Sequence, residues 1–494
     1  MIQRKPIPYF RRLALAAVVP LSLFASGCTT ARIPVTGFEV PVPNIPLPAV
    51  LRGENDLRGR TWSKAFQILH DRLEREYAYS QHKGINWDSL YEKTAAEVLA
   101  AEENKDRAAW YRAVRSYLFA IPDSNVTIDP NDVLRDADVG ASAGLALAPL
   151  SDGTVIVVGL LPDSPAEAAG IEWGATILSW DGEALGAALP KANVLWADSP
   201  ASTPDGRRRQ QLDWLTRGPV DSTHTIGYMN PGATSESTTT LSLAKDRYET
   251  MALSRPLWTP VELFDSPIKT HILGENYRYL RVAAIAPTLS TPFPSRDFKA
   301  AVRLAQKEAS AGIIIDLRGT QGGDGTLVPV MLQPLVEAQS FLEIPGVWDS
   351  ELELYLVESE ETVYVTPEEP LYLGHIVVLV DDYTMGPAES MAGFLKGKEN
   401  VRIFGESGTG AAPGLPTVDL TLPGGYSVMY PARRSLNEAG EIQGASDGSG
   451  VGGVIPDAFF TLDRSNAVTI YQDGKDAVLE KAIEMLDSST WRFP

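Results

Sequence analysis

The sequence predicts a multi-domain chain, α/β and β in class, with a helical domain first, a β module second and an α/β core last. Three observations carry this. Apolar residues recur at three- and four-residue steps from Trp62 to Leu118, the period of helices with one buried face. Short apolar runs bounded by Gly, Pro, Asp and Ser fill residues 138–246, as strands require. Apolar strands then alternate with amphipathic helices over residues 269–488, the order of βαβ units.

Residues 1–28 read as a leader rather than as part of a fold. Arg4, Lys5, Arg11 and Arg12 precede a short apolar run, Leu13 to Ala25, broken by Pro20. That run is too short and too interrupted to cross a membrane. Small residues, Ala25-Ser26-Gly27, stand directly before Cys28, which is signal-peptide architecture. The segment resembles a bacterial lipoprotein lipobox. The resemblance implies cleavage before Cys28, lipid on its thiol and an envelope protein facing the periplasm. Thr29 in place of Asp points to the outer membrane. Residues 29–57, with Pro34, Pro41, Pro43, Pro46 and Pro48, read as an extended tether. Cys28 is the one cysteine, so an internal disulfide framework and a cysteine-based zinc cluster are excluded. No metal-ligand spacing appears and no cofactor is expected. A net charge of −20 speaks against nucleic acid as a partner.

The helical domain is expected over residues 58–130. Phe66, Leu69, His70, Leu73 and Tyr77 begin the stripe, Leu90, Ala95, Val98 and Leu99 continue it, and Trp110, Val114 and Leu118 end it before Ile121-Pro122-Asp123. The β module is expected over 138–246, with strands at Gly144–Ala148, Val155–Leu160, Thr176–Trp180, His224–Met229 and Thr238–Leu243. Within it, Asp163 to Gly170 reads as a turn, a capped short helix and a glycine stop. Ser164-Pro165-Ala166, Ala169-Gly170, Gly174, Ile177-Leu178 and Asp181-Gly182 resemble the PDZ domains carried by bacterial proteases. Ala175 departs from that pattern, which has Asp there. The resemblance implies capture of a peptide C-terminus by the Gly144, Leu145, Ala146 and Leu147 loop, with the peptide added as a strand.

In the core, Ile313-Ile314-Ile315-Asp316-Leu317-Arg318-Gly319 runs into Gly322-Gly323. Val378-Leu379-Val380-Asp381-Asp382 leads to Thr384-Met385-Gly386-Pro387-Ala388-Glu389. Phe404-Gly405-Glu406, Thr409-Gly410 and Gly453-Val454-Ile455-Pro456-Asp457 complete the set. In order and spacing these resemble the tail-specific, or C-terminal-processing, serine peptidases, including the branch similar to tricorn protease. Gly84-Ile85-Asn86-Trp87-Asp88 and Leu90-Tyr91 fit as well. The resemblance spans residues 60 to 460 and implies a Clp/crotonase-like core. Gly319, Gly322 and Gly323 would form its oxyanion loop.

The catalytic positions depart from the family. The nucleophilic serine aligns with Gly386, which has no side chain to attack a carbonyl. The lysine base of one branch aligns with Ala411 and the histidine of the other with Asn125, neither of which takes up a proton at neutral pH. The supporting glutamate aligns with Gly450, and only the auxiliary Ser124 is retained. The expectation is therefore a membrane-anchored, non-catalytic member that binds peptides, protein C-termini or unfolded segments. The alternative is an active serine endopeptidase with a relocated nucleophile, for which Ser390, one turn into the helix, and Ser407 are the rescue candidates. Gly140 to Gly144 matches a G-x-S-x-G elbow but enters a β module, and Gly448 to Gly453 matches a dinucleotide pattern without a strand before it. Both are read as loops.

Overall fold

The computed structural model describes residues 53–487, apart from 258–260, 262, 263, 275, 309, 415 and 416. The signal-peptide, lipobox and most of the tether readings, Cys28 included, lie outside the described residues.

The core is built on a six-stranded sheet in which Tyr277–Val282, Gly312–Asp316, His375–Val380, Val401–Gly405 and Ala458–Phe459 run parallel, with Ile268–Leu273 antiparallel at one edge. Ile313, Ile314 and Ile315, and every residue from Ile376 to Val380, are fully buried. Both faces of these strands are covered, so a continuous apolar run replaces the alternation of a half-exposed strand. On one face Ile313, Ile315, Val378 and Val380 pack on the Pro294–Lys307 and Pro387–Leu395 helices. On the other, Ile314, Val377 and Leu379 meet the Ala477–Asp487 helix and the strands Leu145–Pro149 and Val155–Leu160 of the β module.

That module is a sheet ordered Leu145–Pro149, Val155–Leu160, Thr176–Trp180, Thr223–Met229, Ser237–Ser242. The Pro165–Ala168 helix starts at Ser164, whose side chain accepts from the Glu167 N–H. A helix the sequence reading did not include, Pro204–Leu215, packs beside the Leu145–Pro149 strand. Its pattern is polar, with three consecutive arginines, and only its last turn (Leu212 to Leu215) is buried. A periodicity argument has little to work on there.

The N-terminal helices are Trp62–Glu76, Trp87–Glu103 and Arg107–Phe119, capped by Thr61, Asn86 and Asp106. They do not close a core alone. Phe66, Tyr111 and Val114 share one buried cluster with Leu420, Leu422, Val428 and Tyr430, from the antiparallel pair Val418–Thr421 and Ser427–Tyr430. Thr127–Ile128 extends that pair as a third strand. A segment from far along the chain thus completes the helical layer, and it carries the 409–414 loop against it.

Ile315 is fully buried in the central sheet. Ile315→Ala is expected to lower unfolding free energy by about 2–5 kcal/mol, read as a lower urea midpoint with unchanged slope. Leu304→Ala, on a partly exposed helix face, is expected to change it far less.

Candidate functional site

After the His375–Val380 strand the chain turns sharply into the Pro387–Leu395 helix. Asp381 fixes the turn by accepting from the N–H groups of Gly319 (2.9 Å) and Tyr383 (3.1 Å). The Met385 N–H donates to Thr320 O at 3.0 Å, so the 319–323 loop lies directly against the turn. Gly386 caps the helix at φ +62°, ψ −130°. This is a strand-to-helix elbow of the kind that presents a nucleophile, but in a backbone region that glycine adopts without strain and other residues resist.

The Thr409–Gly414 segment forms a second wall. Glu389, on the first turn of the helix and 1 % exposed, accepts from the Thr409 hydroxyl and from the N–H groups of Ala411 (2.9 Å) and Ala412 (2.8 Å). Burial pushes its carboxyl up to about 8, against the pull of those three donors and helped by the nearby Asp123 charge. Gly453 sits at φ +74°, where a Cβ would lie 2.8 Å from Thr409 Oγ1 and 3.1 Å from Glu389 Oε1, so only glycine fits beside the clamp. Ala411 is held in the left-handed region at φ +53°.

The third wall comes from the end of the N-terminal helices. Asp123 accepts from the Tyr77 hydroxyl (2.7 Å) and the Asn125 N–H (2.9 Å). Asn125 Nδ2 then donates to Ala412 O at 3.0 Å and to Gly414 O. The Gly386 N–H donates to the same Ala412 oxygen at 2.9 Å. Residues 125, 386 and 411–412, far apart in the chain, therefore meet around one carbonyl. Lys83, also buried, donates from Nζ to Pro122 O and Ser446 Oγ, both at 2.8 Å. Burial lowers its amine's affinity for a proton, while Asp123, Glu389 and Asp447 oppose that shift.

The other sequence candidates lie elsewhere or are already engaged. Gly450 is in the Asp447–Val451 turn and faces Pro204. Ser124 donates to Pro200 O at 2.9 Å and accepts no proton from a site residue. The Ser390 N–H bonds to Gly386 O at 3.0 Å, which keeps that serine inside the helix. Ser407 is 5 % exposed, and its hydroxyl has no hydrogen-bond partner. In the glycine loop, the Gly319 N–H is spent on Asp381. Gly322 and Gly323 have positive φ, and Gly323 is pressed against Ile285 O. In the β module the Gly144 N–H donates to Ser142 Oγ at 3.1 Å, and Leu145, Ala146 and Leu147 are all buried. A separate cavity of about 210 Å³ lies near Gly319, with Arg209, Arg318, Asp316, Glu406, Tyr383 and Tyr471 among its walls. Burial alone would raise Asp316, but Arg318 and Arg281 hold it well below the usual carboxylate range.

Sequence reasoning passed over three residues. Pro387 follows the nucleophile position and has no N–H, so a donor that elbows of this kind aim at an oxyanion is missing. That signal was readable in the sequence. Lys83 and Tyr79 were not, because only the fold brings them to residues 411–414 and 446.

The elbow, the glycine loop and the parallel sheet together form the scaffold around these residues. Residues 279–458 match the sequence model of Peptidase family S41. The chain is 25 % identical over 383 residues to the chloroplastic C-terminal processing peptidase of Tetradesmus obliquus, covering 74 % of this chain and 73 % of that one. Its fold is similar to mature CPAF, with TM-score 0.62, 13 % identity, and 88 % and 99 % of the two chains covered. It is also similar to mature CPAF complexed with lactacystin, with TM-score 0.60, 12 % identity, and 86 % and 99 % covered. The likeness to tail-specific serine peptidases thus holds, and the architecture is mixed α/β and multi-domain like theirs.

A folded-state Glu389 at about 8 binds a proton that the unfolded chain releases near pH 4.5. The stability this proton contributes is complete below that pH and is lost as pH rises towards 8. The urea midpoint of the wild type is expected to fall across this window more steeply than that of Glu389→Gln.

Proposed function

We propose that this protein is a non-catalytic member of the tail-specific peptidase group. It binds peptides, protein C-termini or unfolded segments and leaves them uncut. It is anchored to the envelope membrane by lipid on Cys28 and faces the periplasm. One observation carries the reading. Asn125 and Gly386 converge on one carbonyl, and together they offer amide donors, with neither a nucleophile nor a base. Acyl transfer needs both groups within hydrogen-bond reach of each other. Pro387 removes a further donor from the place where charge would develop. The PDZ-like module supports peptide capture, and the acidic chain favours peptides over nucleic acid.

The relocated-nucleophile reading has Ser407 in its favour, since that hydroxyl is unpartnered. The same fact counts against it, because no base reaches the hydroxyl to activate it. Reduced, unstructured casein incubated with the wild type is expected to stay intact on gels and by mass spectrometry. Robust cleavage that disappears in Ser390→Ala or Ser407→Ala would overturn the non-catalytic reading.

A further inference from the structure

The donors at the candidate site are not idle. Asn125 spends its amide on two carbonyls two residues apart, Ala412 O and Gly414 O, and Gly386 adds its N–H to the first. Carbonyls spaced in this way lie on one side of an extended chain. The segment that supplies them is held under constraint. Glu389 grips the N–H groups of Ala411 and Ala412, and Ala411 stands at φ +53°, where an L-residue is strained.

A second observation points to a ligand. Tyr79 is fully buried, and its hydroxyl has no hydrogen-bond partner. That hydroxyl lies 2.8 Å from where a Cβ on Gly414 would stand, so it abuts the same segment. A buried hydroxyl without an acceptor is costly, and such a group in a folded protein calls for an explanation.

We propose that Asn125, Gly386 and Tyr79 form a binding site for the main-chain carbonyls of an extended peptide, and that Ala411–Gly414 is its resident occupant, displaced when a peptide binds. Tyr79 gains its acceptor only with the incoming chain. The surroundings select the ligand: Asp123 and Asp447 outnumber Lys83, so a neutral internal stretch of backbone is favoured over a terminal carboxylate. The site therefore differs in its ligand from the C-terminus capture expected of the β module. It rests on the peptide-binding reading above.

The test uses the full chain and a fluorescein-labelled, unstructured, C-terminally amidated peptide. Binding is read by anisotropy, and hydrogen exchange is followed over residues 409–414. Tyr79→Phe breaks no bond in the resident state, so its urea midpoint is expected to match or exceed that of the wild type while peptide affinity falls about tenfold. Ala411→Gly relieves the left-handed strain. It is expected to slow exchange at residues 411 and 412 and to weaken the peptide about fivefold, by stabilising the occupant. Any extra affinity of the free-acid peptide belongs to the β module and is expected to survive Tyr79→Phe unchanged. Wild-type affinity in Tyr79→Phe, or tighter binding in Ala411→Gly, would overturn the proposal. If no variant and no wild type binds peptide while Ala411→Gly still slows exchange, the peptide reading fails and the assigned ligand falls with it. In that case the resident clamp itself stands.

Discussion

A buried carboxyl group organises this site. Glu389 sits at the start of the Pro387–Leu395 helix and accepts from Thr409, Ala411 and Ala412. Thr409 in turn accepts the Val454 N–H at 2.7 Å, which ties in the last motif of the core. Burying a carboxyl group is expensive, and its three donors offset part of that cost while burial still keeps it protonated at neutral pH. With the 409–414 segment pinned, Ala412 O stands where the Gly386 N–H and Asn125 Nδ2 both reach it. The N-terminal helices, the central sheet and the last loops of the core therefore meet at one point.

The scaffold motifs are held by contacts of their own. Gly453 is constrained by contact with Thr409 and Glu389, and the 319–323 loop by its bond to Met385. Both constraints concern packing and backbone hydrogen bonds, and they act whether or not a serine stands at position 386. A scaffold kept by such bonds holds its shape whatever residue stands at position 386. The elbow itself needs only a residue tolerant of φ +62°, which glycine satisfies better than serine.

Much of the core was legible in the sequence because its signals are local. The runs Ile313–Ile315 and Ile376–Val380 read as buried strands, and they are completely covered. The amphipathic helix that the alternation places before the Ile313 strand is found at Pro294–Lys307, with proline at its first turn. The Pro204–Leu215 helix was missed because its exposed, arginine-rich face carries no apolar stripe. The boundary drawn at residue 130 hid the sharing of one apolar core between the N-terminal helices and the strands near residue 420, a contact no local pattern encodes. At the site, the alignment named Asn125, Gly386 and Ala411, and the fold places them together. Gly450 faces Pro204 instead, and Lys83 and Tyr79 reach the site only through tertiary packing. Pro387 was readable, since a missing N–H follows directly from the residue type.

The central claim is that no serine near the elbow is an activated nucleophile. The most direct measurement is intact-mass analysis after exposure to a fluorophosphonate, which reacts with activated serines and leaves ordinary hydroxyls alone. The account predicts an unchanged mass. A stoichiometric adduct mapped to Ser390, Ser407 or Ser446 would contradict it.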